Sequence, residues 1–190
     1  MPNLDDLPAN LQAVIRETLR QVDALSAKME AGDITVDQWR DQMEAIIEAQ
    51  TESSLEAGAG ETVGAADLLE RLIQVQLDFL AVFAADIVAN HWLPAYRSRA
   101  QMYAESVKVS YYNGEIIKQV GRVLPLPAMP AEGTICLTRC GCSWEIETVN
   151  AANRDYDAYW RRGKTDSCAT CIEREKQWSP VRIRGGELRR

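Results

Sequence analysis

From Pro8 to Glu30 the apolar residues Leu11, Val14, Ile15, Leu19, Val22, Leu25 and Met29 recur three or four positions apart, the spacing of a helix with one buried stripe. Gly32 in the following AGD predicts a helix end, because glycine takes left-handed backbone angles at no steric cost. Thr35 and Gln38 then form a capping-box pattern that opens a second helix through Trp39, Met43, Ile46 and Ile47 as far as Leu55. The stretch SSLEAGAGETVGA is rich in small residues and reads as a loop. A third helix is predicted over Ala65 to about Asn90, with Leu68, Leu72, Leu77, Phe79, Leu80, Val82, Phe83 and Ile87 spread nearly all round it, which places it at the centre of a bundle. Pro94 suits the start of a fourth helix carrying Tyr96, Met102, Tyr103, Val107 and Tyr111, and Asn113-Gly114 reads as its stop or bend.

The pattern changes at Val123. LPLPAMPAEG resists regular helix and predicts an extended, semi-rigid connection. Beyond it come short strand-like runs over Thr134–Leu137 and Ser143–Val149, where Trp144, Ile146 and Thr148 alternate with Glu145 and Glu147, and a further one at Val181–Arg184. The expected fold is therefore mainly α: a helical domain of about four helices over 1–122, followed by a small α+β module over 123–190.

Composition sharpens this picture only in places. With 190 residues, 46% hydrophobic and 26% charged, the chain fits one helical core with an appendage, and neither disorder nor a fibrous architecture. MPNLDDLPAN has acidic residues where a secretory signal would be basic, so export is not expected. Gln74, Gln76, Asp78 and Asp86 interrupt the most apolar stretch, Leu72 to Val88, which argues against a membrane span. The net charge of −7 conceals a gradient: residues 1–70 hold 15 acidic against 4 basic side chains, whereas residues 160–190 hold 4 against 9. The acidic helices read as solvated faces, and the basic end as a contact for phosphate or an acidic protein surface. Its candidate contact residues are Arg161, Arg162, Lys164, Arg182 and Arg184.

The chemistry-bearing residues are five cysteines, Cys136, Cys140 and Cys142 in one group and Cys168 and Cys171 in another. An odd count without an export signal favours a metal over a disulfide framework. Two clusters joined by a loop match a structural zinc site, in which four thiolates close a tetrahedron and the ion staples the ends of a segment too small to stabilise itself by burial alone. Cys168-x2-Cys171 supplies two ligands, and two more come from Cys136, Cys140 and Cys142; spacing leaves open which two. The competing interpretation makes some of these thiols small buried apolar residues.

His91, the single histidine, ends the third helix and reads as a capping or packing residue. GAGETVG lacks the strand and the lysine of a phosphate-binding loop. No nucleophile and base stand in a recognisable arrangement, so no enzymatic activity and no small-molecule substrate are expected. Tyr156, Tyr159 and Trp160, interleaved with Arg154, Arg161, Arg162 and Lys164, suit either stacking on nucleic acid or a core for the metal module, and the core is the preferred interpretation.

Over residues 95–190 the helix SRAQMYAESVKVSYYNGE, then PAMPAEGTICLTRCGCSWEIE and YWRRGKTDSCATCIEREKQWSPVRIRGGEL, resembles the tailed-phage minor head proteins, or head morphogenesis proteins, of the Mu F-like type. The shared pieces are the RAQMYAE helix, the paired Cys-x2-Cys, a W-x-P stretch with glycines, and the Cys-x3-Cys-x-Cys element leading into an apolar strand. The resemblance implies a structural protein of the virion, assembled in the host cytoplasm in several copies, which contacts portal, capsid or scaffold proteins and, through its basic end, DNA. A cytoplasmic nucleic-acid-binding protein built on a zinc module is the alternative.

Overall fold

The computed structural model describes residues 7–60, 65–130, 142–163 and 169–189. Four long helices come first: α1 (Ala9–Ala31), α2 (Val36–Ala59), α3 (Ala66–Asn90) and α4 (Pro94–Val120). A small module follows with β1 (Ser143–Asn150), β2 (Asp155–Arg161), α5 (Ala169–Trp178), β3 (Val181–Arg184) and β4 (Glu187–Arg189), its strands forming one antiparallel sheet in the order β1-β2-β3-β4. The architecture is mainly helical with a small C-terminal sheet, as the sequence pattern predicts.

Local signals set most helix ends. Gly32 adopts φ 73° and closes α1, and both bonds of the Thr35–Gln38 capping box are formed at the start of α2. The bundle core joins Val22 and Leu25 of α1, Trp39, Met43 and Ile47 of α2, Leu80, Phe83 and Ile87 of α3, and Tyr96 and Tyr103 of α4. Trp39 meets Phe83 edge-on at 5.3 Å between ring centroids, and Phe83 meets Tyr96 at 5.4 Å, the arrangement favoured by aromatic quadrupoles.

Three helix expectations need correction. The segment read as a loop from Ser53 onward continues α2 to Ala59, with Ser54, Leu55 and Gly58 buried. Gly114 does not end α4, which runs on to Val120 and is closed by Gly121 at φ 69°. Both glycines lie where α2 and α4 cross with their backbones in contact: a Cβ on Gly58 would run into the Tyr111 carbonyl, and one on Gly114 into the Leu55 carbonyl and the Ala59 nitrogen. Two hydrogen bonds tie the same crossing, Ser54 Oγ donating to the Val107 carbonyl at 2.6 Å and Gln50 Nε2 to that of Tyr103 at 3.3 Å. Small residues are there to let the helices approach, and single-chain periodicity does not reveal an approach.

Nor is α3 central. It packs along α2 and only lightly against α4, and it leaves Val75, Phe79, Val82 and Val88 exposed, Phe79 by 63%. Four helices give α3 too few neighbours to cover all its apolar positions.

The proline-rich segment is a packed strap. Leu124 and Leu126 enter the core of the sheet module, whereas Ala128 and Met129 enter that of α1 and α4, and Pro125 and Pro127 face outward between them. The Trp144 indole donates to the Pro127 carbonyl at 2.9 Å. The C-terminal turns of α4 join the module as well, through Ile116 in its core and Gln119 at its edge. The Gln119 amide donates to the Trp144 carbonyl at 3.1 Å and accepts from the Ile146 N–H at 2.8 Å, standing in for a neighbouring strand along the outer edge of β1.

Candidate metal centre

The alternating pattern of β1 places Trp144 and Ile146 on one face, and antiparallel pairing sets Trp144 opposite Trp160 and Ile146 opposite Ala158. Tyr156 in turn lies opposite Ile183 on β3. These residues build a small core in which the Trp144 and Trp160 rings meet at 6.1 Å. β2, β4 and α5 went unpredicted: RDYDAYWRR is a strand whose buried positions Tyr156, Ala158 and Trp160 alternate, a signal masked by the charges between them. The strap residues Leu124, Leu126 and Ala128 alternate with prolines in the same way, so their burial was legible too.

Cys142 precedes β1 by one residue and Cys171 lies in the first turn of α5; both are buried and both belong to this one cluster. The fold thus brings one cysteine of each sequence group into the same core. Cys136, Cys140 and Cys168, and with them the strand expected over Thr134–Leu137, lie outside the described residues. Among the described residues no three of His, Cys, Asp and Glu gather into a group that could hold a metal ion. The described donors nevertheless suit zinc, which favours thiolate ligands. Trp160 Nε1 is buried in the same cluster with no hydrogen-bond partner among the described residues, a donor that a thiolate sulfur would satisfy.

The cations proposed as contacts divide differently. Arg161 pairs with Glu145 and lies 5.8 Å from the Tyr159 ring centroid; the bond to Glu145 pushes its pKa up. Arg162 pairs with Glu175 of α5 at 2.8 Å. Arg184 pairs with Asp157 at 2.7 Å and also donates to the Tyr156 and Ile183 carbonyls. Arg182 is exposed, with Asp157 and Arg189 as its register partners on β2 and β4. Lys164 lies outside the described residues. Three of the four described cations are therefore already engaged by the module's own carboxylates.

His91 is exposed at the end of α3 with φ 59°, in the left-handed region, consistent with the expected capping position. Comparison with protein-family models, with curated proteins and with solved structures gives no match.

Proposed function

We propose that the chain is a non-catalytic head-assembly protein of the tailed-phage minor head type, acting at the portal vertex or capsid interior, with its C-terminal module closed by one structural zinc ion. The observation that carries the metal is the burial of Cys142 and Cys171 in a single cluster with Trp160, whose Nε1 has no hydrogen-bond partner among the described residues. Cys168 and one of Cys136 and Cys140, close by in sequence, complete the set of four thiolates. A core of about ten residues stabilises such a module only modestly, and zinc binding worth on the order of 10 kcal/mol makes its folding metal-dependent.

The assembly role is supported by the resemblance of residues 95–190, and by the ion pairs that already occupy Arg161, Arg162 and Arg184. A phosphate would have to displace those carboxylates, which favours protein partners over nucleic acid.

Elemental analysis of the purified full chain should give one zinc per chain, and a strong chelator should unfold the sheet while leaving the helices. A zinc-free chain with an intact sheet would refute the metal. Quantitative mass spectrometry of purified heads should find the chain in low copy, and a normal yield of filled heads after deletion of its gene would refute the assembly role. Salt-sensitive binding of duplex DNA by the full chain alone would favour the nucleic-acid alternative.

A further inference from the structure

The outward face of α3 carries a feature that neither the bundle nor the metal module uses. Val75, Phe79 and Val82 follow one another at helical spacing and are 51%, 63% and 65% exposed. Met102, one turn beyond Arg99 on α4, is also 65% exposed, and Arg99 reaches over to α3, its guanidinium 4.2 Å from the Phe83 ring centroid and 2.7 Å from Asp86. An apolar run of this kind, about 10 Å long from Val75 to Val82, marks an interaction surface.

The charges flanking the run identify the partner. Arg71 is the single cation of α3 and makes no ion pair among the described residues, its Nε donating only to the Asp67 carbonyl at 3.2 Å. Asp86 lies toward the other end of the run; one of its oxygens meets Arg99 at 2.7 Å and the other accepts from Asn90 Nδ2 at 2.8 Å, but its side chain remains 35% exposed, so Arg71 of a copy would join these partners rather than displace them. Val75 and Val82 are equidistant from a point beside Phe79, and so are Arg71 and Asp86. A helix with this symmetry is complementary to itself when reversed. Laid antiparallel on a copy of itself, it sets Val75 level with Val82, Phe79 close to Phe79, and Arg71 level with Asp86, twice over.

We propose that α3 is the interface of a two-fold dimer of this chain, with Val75, Phe79 and Val82 as its apolar seam and Arg71 of each copy paired with Asp86 of the other. The inference does not depend on the zinc or on the head-assembly role. It carries a counter-intuitive corollary. Asp78, whose carboxylate accepts from Gln74 at 2.8 Å, falls beside the two-fold axis, so the two copies of Asp78 repel each other across it. Neutralising that residue should strengthen the dimer.

Sedimentation equilibrium of the full chain at about 10–100 μM, a range that populates an interface of this modest size, should give twice the chain mass of 21.2 kDa. Phe79→Gln should raise the dissociation constant about a hundredfold without changing the circular dichroism spectrum, since that side chain is exposed in the single chain. Arg71→Glu should raise it about tenfold and Asp78→Asn should lower it. A monomeric wild type overturns the proposal, as does a dimer indifferent to all three substitutions. So does a monomer that floats with phosphatidylcholine–phosphatidylglycerol vesicles, because α3 is also long and apolar enough to meet a bilayer. A dimer weakened by the first two variants and strengthened by the third supports it.

Discussion

Replacing Gly114 by alanine sets two effects against each other. Helix propensity alone favours alanine by about 1 kcal/mol at an interior position of α4. The α2–α4 crossing opposes it, because the new Cβ would meet backbone atoms: the Leu55 carbonyl, the Ala59 nitrogen at 2.6 Å and the Gly58 carbonyl carbon at 2.9 Å. No rotamer change relieves that, so the helices must separate. Overpacking of this kind costs about 1–3 kcal/mol. Separation also strains the Ser54–Val107 and Gln50–Tyr103 bonds, each worth about 0.5–1.5 kcal/mol net. With the propensity gain subtracted, the expected destabilisation is about 1–5 kcal/mol, a fall in Tm of roughly 2–20 °C for a chain of this size. Urea and thermal unfolding followed by far-ultraviolet circular dichroism measure it. Ser53→Ala, at an exposed position of α2, serves as the control and should stay within about 0.5 kcal/mol of the parent. A Gly114→Ala chain as stable as the parent, or more so, would refute the close crossing, because propensity would then act unopposed.

Three further outcomes are expected. Gln119→Ala should free the outer edge of β1 at a cost of about 1–3 kcal/mol for its two bonds, and hydrogen exchange should show faster loss of protection at the Ile146 amide than at the β1 amides that face β2. Burial holds the Tyr103 phenol up at about 12 against an ordinary value of 10, so between pH 10 and 12 the unfolded chain releases a proton that the folded chain keeps, and stability falls as pH rises through that window. Tyr103→Phe should remove a late-ionising phenol from an ultraviolet titration and flatten that fall; an unchanged titration would count against the burial. Thr35→Ala should cost about 1 kcal/mol in urea unfolding by removing the capping bond to the Gln38 N–H, and no loss would mean that the cap adds nothing to α2.

The sequence by itself determined the helical and strand-like periodicities, the ends at Gly32 and Thr35, and the alternation of β1 and β3, because each is encoded within a few residues by spacing or backbone preference. It also singled out the two cysteine groups. The tertiary structure decided what those elements meet. Gly58 and Gly114 read as breakers until a second helix came within backbone contact, and α3 read as central until only one of its faces found a close neighbour. The same holds for the cations, which looked available along the chain but face Glu145, Glu175 and Asp157 once the sheet and α5 assemble. Burial and pairing depend on residues distant in sequence, and a pattern read along one segment holds no record of them.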